Sequence, residues 1–182
     1  MKNKIIYSTL CALISACPSF ATTVIPLSVE SLTAISSHVV EGRAVSSWTQ
    51  WNATHTVIFT YTKFQVQRTL KGEAAATVVV RQLGGTLDGT TEKVAGVRQW
   101  KIGERALLFL RPGEIRDGSL VVTGLMQGNF LIYRGPTGED VVSNGAPNVS
   151  AYKAGTAPIT TYSGSAMRLQ EMEGRIQKAV QR

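Results

Sequence analysis

TVIFTYTKFQVQRTL-KGEAAA-TVVVRQLGG, residues Thr56 to Gly85, is the stretch that decides the fold. Two segments rich in Val, Ile, Phe, Tyr and Thr flank a short connection carrying Lys71 and Gly72, the pattern of an antiparallel strand pair. Phe64 and Val66 alternate with Lys63, Gln65 and Gln67, so this half of the first strand has one buried face and one wet face. Val57, Phe59 and Tyr61 fall on the opposite parity. At ~3.3 Å per residue a strand this long overruns a small sheet unless it bends, and the parity change predicts a bend or bulge near Tyr61 to Lys63. A long curved strand of this kind serves both halves of a small closed barrel.

The neighbouring segments fit such a barrel. Ser28 to Ser37 places Val29, Leu32 and Ile35 or Ser36 at helical spacing behind the polar starts Ser28 and Ser31, which predicts a brief helix. His38 to Val45 reads as a strand whose small face, Val40, Gly42 and Ala44, admits a close neighbour. Ser46 to His55 reads as a polar connection holding Trp48 and Trp51, and Gly84 to Thr91 as a loop. Ala106 to Leu110 is an uninterrupted apolar run ended by Pro112-Gly113, hence a strand buried on both faces. Asp117-Gly118 is a hairpin turn into Ser119 to Thr123, and Asn129 to Tyr133 is a further strand. Gly135 to Gly164 is rich in Gly, Pro, Ser, Thr and Asn, with only Val141-Val142 strand-like. In the tail, Leu169, Met172 and Ile176 recur at helical spacing with Glu171 and Arg175 opposite, an amphipathic helix expected to be interrupted by Gly174.

The first residues read as an address. Lys2 and Lys4 precede an apolar run from Ile5 to Ala16, and Pro18-Ser19-Phe20-Ala21 supplies a cleavage site, so the mature chain is expected to start at Thr22. Ile14-Ser15-Ala16-Cys17 supports a competing reading, a lipobox in which Cys17 would be lipidated and hold the protein on a membrane; Pro18 and the Ser-Phe-Ala ending favour the soluble product. Either way the protein is expected to be secreted or periplasmic. The two cysteines, Cys11 and Cys17, both lie in this segment, so the remaining domain holds no disulfide and must stand on its core. About 160 residues suffice, since a chain of that size buries roughly two-thirds of its unfolded surface. Without Lys2 and Lys4, 17 basic residues face 12 acidic ones, and no run of Lys or Arg marks a nucleic-acid arm.

Little in the sequence carries chemistry. His38 and His55 are the only histidines, unaccompanied by HExxH or a cysteine cluster, so neither a metal nor another cofactor is expected. No Gly-x-Ser-x-Gly elbow occurs, and Gly84-Gly85 lacks the Lys-Ser/Thr that a phosphate loop requires. Asn52-Ala53-Thr54 and Asn148-Val149-Ser150 match the glycosylation pattern. Trp48, Trp51 and Trp100 beside Arg98 and Lys101 would, if exposed together, form a stacking platform for sugar or peptide; the structural alternative is that at least one tryptophan caps the barrel end.

Ser37 to Val45, the strand end Phe64 to Gly72 and Gly103 to Leu110 together resemble the core of the netrin-like domains and tissue inhibitors of metalloproteinases. The resemblance covers roughly Ser28 to Tyr133 and implies a five- or six-stranded antiparallel OB-type barrel. The chain then divides into a signal (1–21), the barrel domain with its irregular segment (22–163) and a C-terminal helix (164–182). The inhibitors chelate the protease zinc through a disulfide-bonded N-terminal cysteine, and Thr22 stands at that place here. The expected function is a non-enzymatic secreted binding module whose partner is an extracytoplasmic protein, a metalloprotease in its sharpest form. Two alternatives stand beside it: a hydrolase drawing on a Ser, His38 or His55 and one of Asp88, Asp117 or Asp140, and an anionic-glycan binder using Arg98, Lys101 and the tryptophans.

Overall fold

The computed structural model describes residues 23–24, 26–144, 150–151 and 166–182. The segment read as a signal with Cys17, Thr22, Asn148 and the boundary at residues 163–164 lie outside the described residues. In chain order the elements are β1 (Thr23–Val24), α1 (Val29–Ile35), β2 (His38–Trp51), β3 (Ile58–Lys71), β4 (Thr77–Leu83), β5 (Gly85–Leu87), β6 (Thr90–Glu92), β7 (Arg105–Pro112), β8 (Leu120–Val122), β9 (Asn129–Arg134), β10 (Asp140–Ser143), β11 (Ser150–Ala151), β12 (Met167–Arg168) and α2 (Leu169–Val180). Among the described residues no helix is long and apolar enough to cross a membrane.

The expected hairpin is β3–β4, paired from Phe59↔Leu83 to Gln65↔Thr77. It belongs to a ring in which β2 pairs β3, β3 pairs β4, β4 pairs β8, β8 pairs β7 and β7 returns to β2. Four of these contacts are antiparallel, but β4 meets β8 in parallel through Val80↔Leu120. The wholly antiparallel expectation is therefore corrected: strands that alternate in direction around a ring of odd number must meet once in the same sense. The sheet is also larger than expected, with eight strands, because the first half of β7 pairs β9, and β10 and β12 follow outward.

The bend or bulge expected near Tyr61 to Lys63 does not interrupt the alternation of β3; the irregularity at that place lies on its partner strand. Ile58, Thr60, Thr62, Phe64 and Val66 all turn inward in unbroken alternation, with Phe59 and Tyr61 half-buried on the outer face. The nearest irregularity lies on the partner strand, where Val45 is skipped between the pairs Ala44↔Phe64 and Ser46↔Lys63; Leu70 and Gln67 are skipped on β3. Keeping one parity places two threonines inside, and both find partners: Thr60 Oγ1 donates to the Gly84 carbonyl at 2.6 Å, and the Thr62 and Ser47 hydroxyls lie 3.3 Å apart. Gly42 leaves room for β3 beside it; a Cβ there would lie 3.1 Å from the Gln65 carbonyl oxygen.

Two cores result. Inside the ring, Val40, Ala44, Phe64, Val80, Trp100, Ala106, Leu108 and Leu110 pack together. Outside it, Leu107 and Phe109 turn the other way to join Val39, Phe130, Ile132 and Val142 beneath the helices. β7 is thus buried on both faces, as its apolar run requires. Ser28 caps α1, its Oγ accepting from the Ser31 amide at 3.0 Å. α2 continues unbroken through Gly174 and buries Leu169, Met172 and Ile176. The Arg175 guanidinium grips Glu30 with two bonds of 2.9 and 2.8 Å and holds that carboxyl at about 2, which ties α2 to α1.

Candidate functional site

Because β3 keeps a single parity, its odd residues line up with outward residues of its neighbours. Trp48 on β2 stands opposite Tyr61, Gln50 opposite Phe59, and Tyr61 opposite Arg81 on β4. The Trp48 and Tyr61 rings lie parallel, 5.4 Å apart with 7° between their planes, and Phe59 meets Tyr61 edge-on at 6.5 Å. These rings form one wall of an open cleft of about 560 Å³, whose lining also includes Gln50, Trp51, Asn52, Val79, Ile115, Asp117 and Ser119. Trp48 is 43% exposed, a large apolar surface left in water.

Three local structures shape the cleft. The turn joining β2 to β3 is organised by Asn52, whose Oδ1 accepts from the amides of Thr56 at 2.7 Å and Val57 at 3.1 Å. His55 takes a left-handed conformation in that turn (φ 53°), with its ring 6.1 Å from Trp51. The segment Gly84 to Thr91, expected as an unstructured loop, is instead the hairpin β5–β6, turned at Asp88-Gly89 with φ of 49° and 76°. It docks on β2: Trp51 Nε1 donates to Asp88 Oδ2 at 2.9 Å, and Thr49 Oγ1 to the Thr86 carbonyl at 3.0 Å. The connection from β7 to β8 is pinned by Asp117. One carboxylate oxygen accepts from Arg81 Nη1 at 2.9 Å and from Tyr61 Oη at 3.1 Å; the other accepts from the Ser119 amide at 3.0 Å and the Ser119 hydroxyl.

The electrostatics of this node follow. Burial pushes the Asp117 carboxyl up, but the Ser119 and Tyr61 hydrogen bonds and the Arg81 charge outweigh it and hold the group at about 2. Burial, and then the bond to Asp117, push the Tyr61 hydroxyl above its usual value. Arg81 is only 5% exposed and its guanidinium carbon lies 5.1 Å from the centre of the Phe59 ring. A carboxylate holding four donors is an anchor rather than a base; what the cleft offers a ligand is aromatic surface with polar groups at its edge.

The sequence-derived site residues divide sharply. Trp48 and Trp51 both line the cleft, on a strand rather than in the connection expected for Ser46 to His55. Trp100 does not join them. It is 5% exposed, edge-on to Phe64 at 4.9 Å, with Nε1 donating to Asn129 Oδ1 at 3.0 Å, so it fills the ring interior with its one polar atom paired. Arg98 pairs with Glu104 at 3.3 Å and Lys101 is exposed in the same segment; neither lines the cleft. Phe59 and Tyr61 are not among the site residues expected from sequence, although their odd parity was the available signal, and Asp117 was expected only as a catalytic carboxylate of the hydrolase alternative.

For the hydrolase alternative, Ser37 Oγ lies 2.9 Å from His38 Nδ1, but among the described residues no carboxylate hydrogen-bonds either histidine. Asp88, Asp117 and Asp140 are engaged by Trp51, Arg81 and Arg105 respectively. Among the described residues no three His, Cys, Asp or Glu side chains converge as a metal site. No known protein family matches this sequence, and no curated protein is significantly similar to it.

Proposed function

We propose that this chain is an exported, non-enzymatic binding module of the OB type that holds an extracytoplasmic protein in the aromatic cleft. The observation that carries the reading is the location of that cleft. Numbering only the ring strands one to five along the chain, their order around the ring is 1-2-3-5-4. In OB barrels the usual ligand surface is the face of strands two and three together with the loops joining strands one to two and four to five. Here these correspond to β3, β4, the turn at residues 52–57 and the connection at residues 113–119, and all four supply lining residues of the cleft.

Exposed, well-supported aromatic rings are the side chains that most often dominate binding energy, since they bury much surface and lose little rotamer freedom. Trp48 is backed by Tyr61, which is fixed by Asp117, so the platform is formed before a ligand arrives. The metalloprotease form of the proposal rests on the resemblance and on a free terminus at Thr22. A glycan reading also draws on the Trp48–Tyr61 stack, but without Arg98 and Lys101, which do not line the cleft.

The test uses the purified protein as bait for secreted proteins, with Trp48→Ala beside it. Partner capture by the native protein and a loss of at least about tenfold with Trp48→Ala is the expected result. Undiminished capture by the variant would remove the cleft from the interface, and quenching of tryptophan fluorescence by neutral oligosaccharides in place of any protein capture would favour the glycan reading.

A further inference from the structure

A second cavity of about 430 Å³ adjoins the aromatic cleft and shares Phe59 and Ile115 with it. It opens where the ring has its shortest pairing: β4 and β8 are paired only at Val80↔Leu120, and the cavity lies beside the following residues Arg81 to Leu83 and Val121 to Val122. Two local costs of folding meet there. Gln82 is 8% exposed and its Oε1 is buried without a hydrogen-bond partner, in a structure whose other inward polar groups on the adjacent strand are paired. Leu125 is held at φ 63°, a region that a bulky non-glycine residue rarely occupies, with 39% of its surface exposed. An orphaned carboxamide oxygen and a strained leucine lining one cavity mark a place where the sequence does not serve stability alone.

The lining indicates what would enter. Beside the shared Phe59 and the charged Arg81 and Glu114, most of its wall is aliphatic, with Leu83, Ile115, Val121 and Leu125, and so suits an aliphatic side chain. A buried carboxamide presents both a donor and an acceptor, the complement of a peptide group. At the rim, Arg111 is exposed and its guanidinium donates only to the Pro112 carbonyl, at a long 3.4 Å, so its charge is available to a carboxylate. We infer that this cavity is a peptide-binding subsite that takes a partner segment with an aliphatic residue beside an acidic one, its backbone amide bonded to Gln82 and its carboxylate to Arg111. The inference rests on the protein-partner reading above and extends the contact surface beyond the aromatic cleft.

The test selects a displayed random-peptide library on the immobilised full-length protein and measures the enriched peptides against variants. Gln82→Met keeps the shape while removing the orphaned oxygen, and Leu125→Gly relieves the left-handed strain, so neither should lower the melting temperature. Enriched peptides should share an aliphatic residue next to Asp or Glu. Gln82→Met and Arg111→Ala should each weaken them by at least about tenfold, Leu125→Gly should weaken them as well, and Trp48→Ala should change them less than about twofold. No enrichment, or peptides indifferent to Gln82→Met and Arg111→Ala, would overturn the subsite. Peptides lost only with Trp48→Ala would overturn it while leaving the aromatic cleft standing; Gln82- and Arg111-dependent peptides alongside Trp48-independent partner capture would do the reverse.

Discussion

Leu108→Asp is expected to yield no soluble folded protein. Leu108 is fully buried at the centre of β7, inside the ring with Phe64, Val80 and Trp100, and it pairs with Val40 on one side and Asn129 on the other. The substitution forfeits roughly 1.5–3 kcal/mol of apolar burial and adds several kcal/mol for a charge without a partner, against a total stability of only about 5–15 kcal/mol. Because β7 is the strand that both closes the ring and carries the outer core, there is no peripheral way for it to detach. Expression with fractionation of the soluble and insoluble protein checks this, and a soluble variant with an unchanged β-type circular dichroism spectrum would contradict the assignment.

Asp117→Ala is the next largest expected effect, and it separates anchor from catalyst. The substitution leaves the Arg81 guanidinium almost wholly buried with its counter-charge gone, and frees both Tyr61 and the Ser119 end of the connection to β8. Fully buried pairs broken in this way cost about 3–5 kcal/mol; with 28% of its side chain exposed, Asp117 should cost about 2–3 kcal/mol. Arg81→Met combined with Asp117→Ala should recover part of that loss, because no unpaired charge then remains inside. The same node sets an acid limit. Its carboxyl titrates at about 2 in the folded protein against 3.8 in the unfolded chain, so its stabilisation is complete above the unfolded value and is lost as pH falls through the range between them. Denaturant unfolding at neutral pH and at pH values between 4 and 2 measures both effects; a double variant as acid-sensitive as the native protein would place the acid limit elsewhere, for which the Glu30–Arg175 clamp is the next group to examine.

Much of this architecture is legible in the amino-acid sequence, for reasons that differ by element. The apolar run Ala106 to Leu110 could only be a strand covered on both sides, and the Ser28 cap and the Leu169, Met172, Ile176 spacing marked the two helices. β2 was read too short because Ser46 to Trp51 lacks apolar alternation. Those residues are exposed or half-buried in a hairpin ribbon, where pairing to β3 and not burial holds them extended. The hairpin at Asp88-Gly89 carried a turn dipeptide as clear as the one at Asp117-Gly118, but without the apolar flanks that make such a dipeptide a hairpin signal.

The site was half legible, and its missing half came from one choice of mechanism. The conflicting parities of Phe59 and Tyr61 against Phe64 and Val66 can be resolved by bending the strand or by leaving two aromatics outside. A rule that large apolar side chains go inward selects the bend. The structure selects the second resolution, with threonines inside and rings outside. Trp100 follows the structural alternative stated for the tryptophans rather than the platform: it lies inside the ring, where Asn129 provides the one partner its indole N–H needs. The anchoring role of Asp117 is not legible in the sequence because it depends on Arg81, 36 residues away and brought beside it only by ring closure.

The most direct test of the aromatic cleft as a binding surface is site-specific photocrosslinking in the cells that make the protein. A benzophenone amino acid is placed at position 50, where Gln50 lines the cleft opposite Phe59, and, as a control, at position 178, where Lys178 lies exposed on α2. The expected result is a discrete heavier adduct from position 50 that is absent from position 178 and lost when Trp48→Ala is added; adducts of equal yield at both positions, or none at position 50, would contradict it.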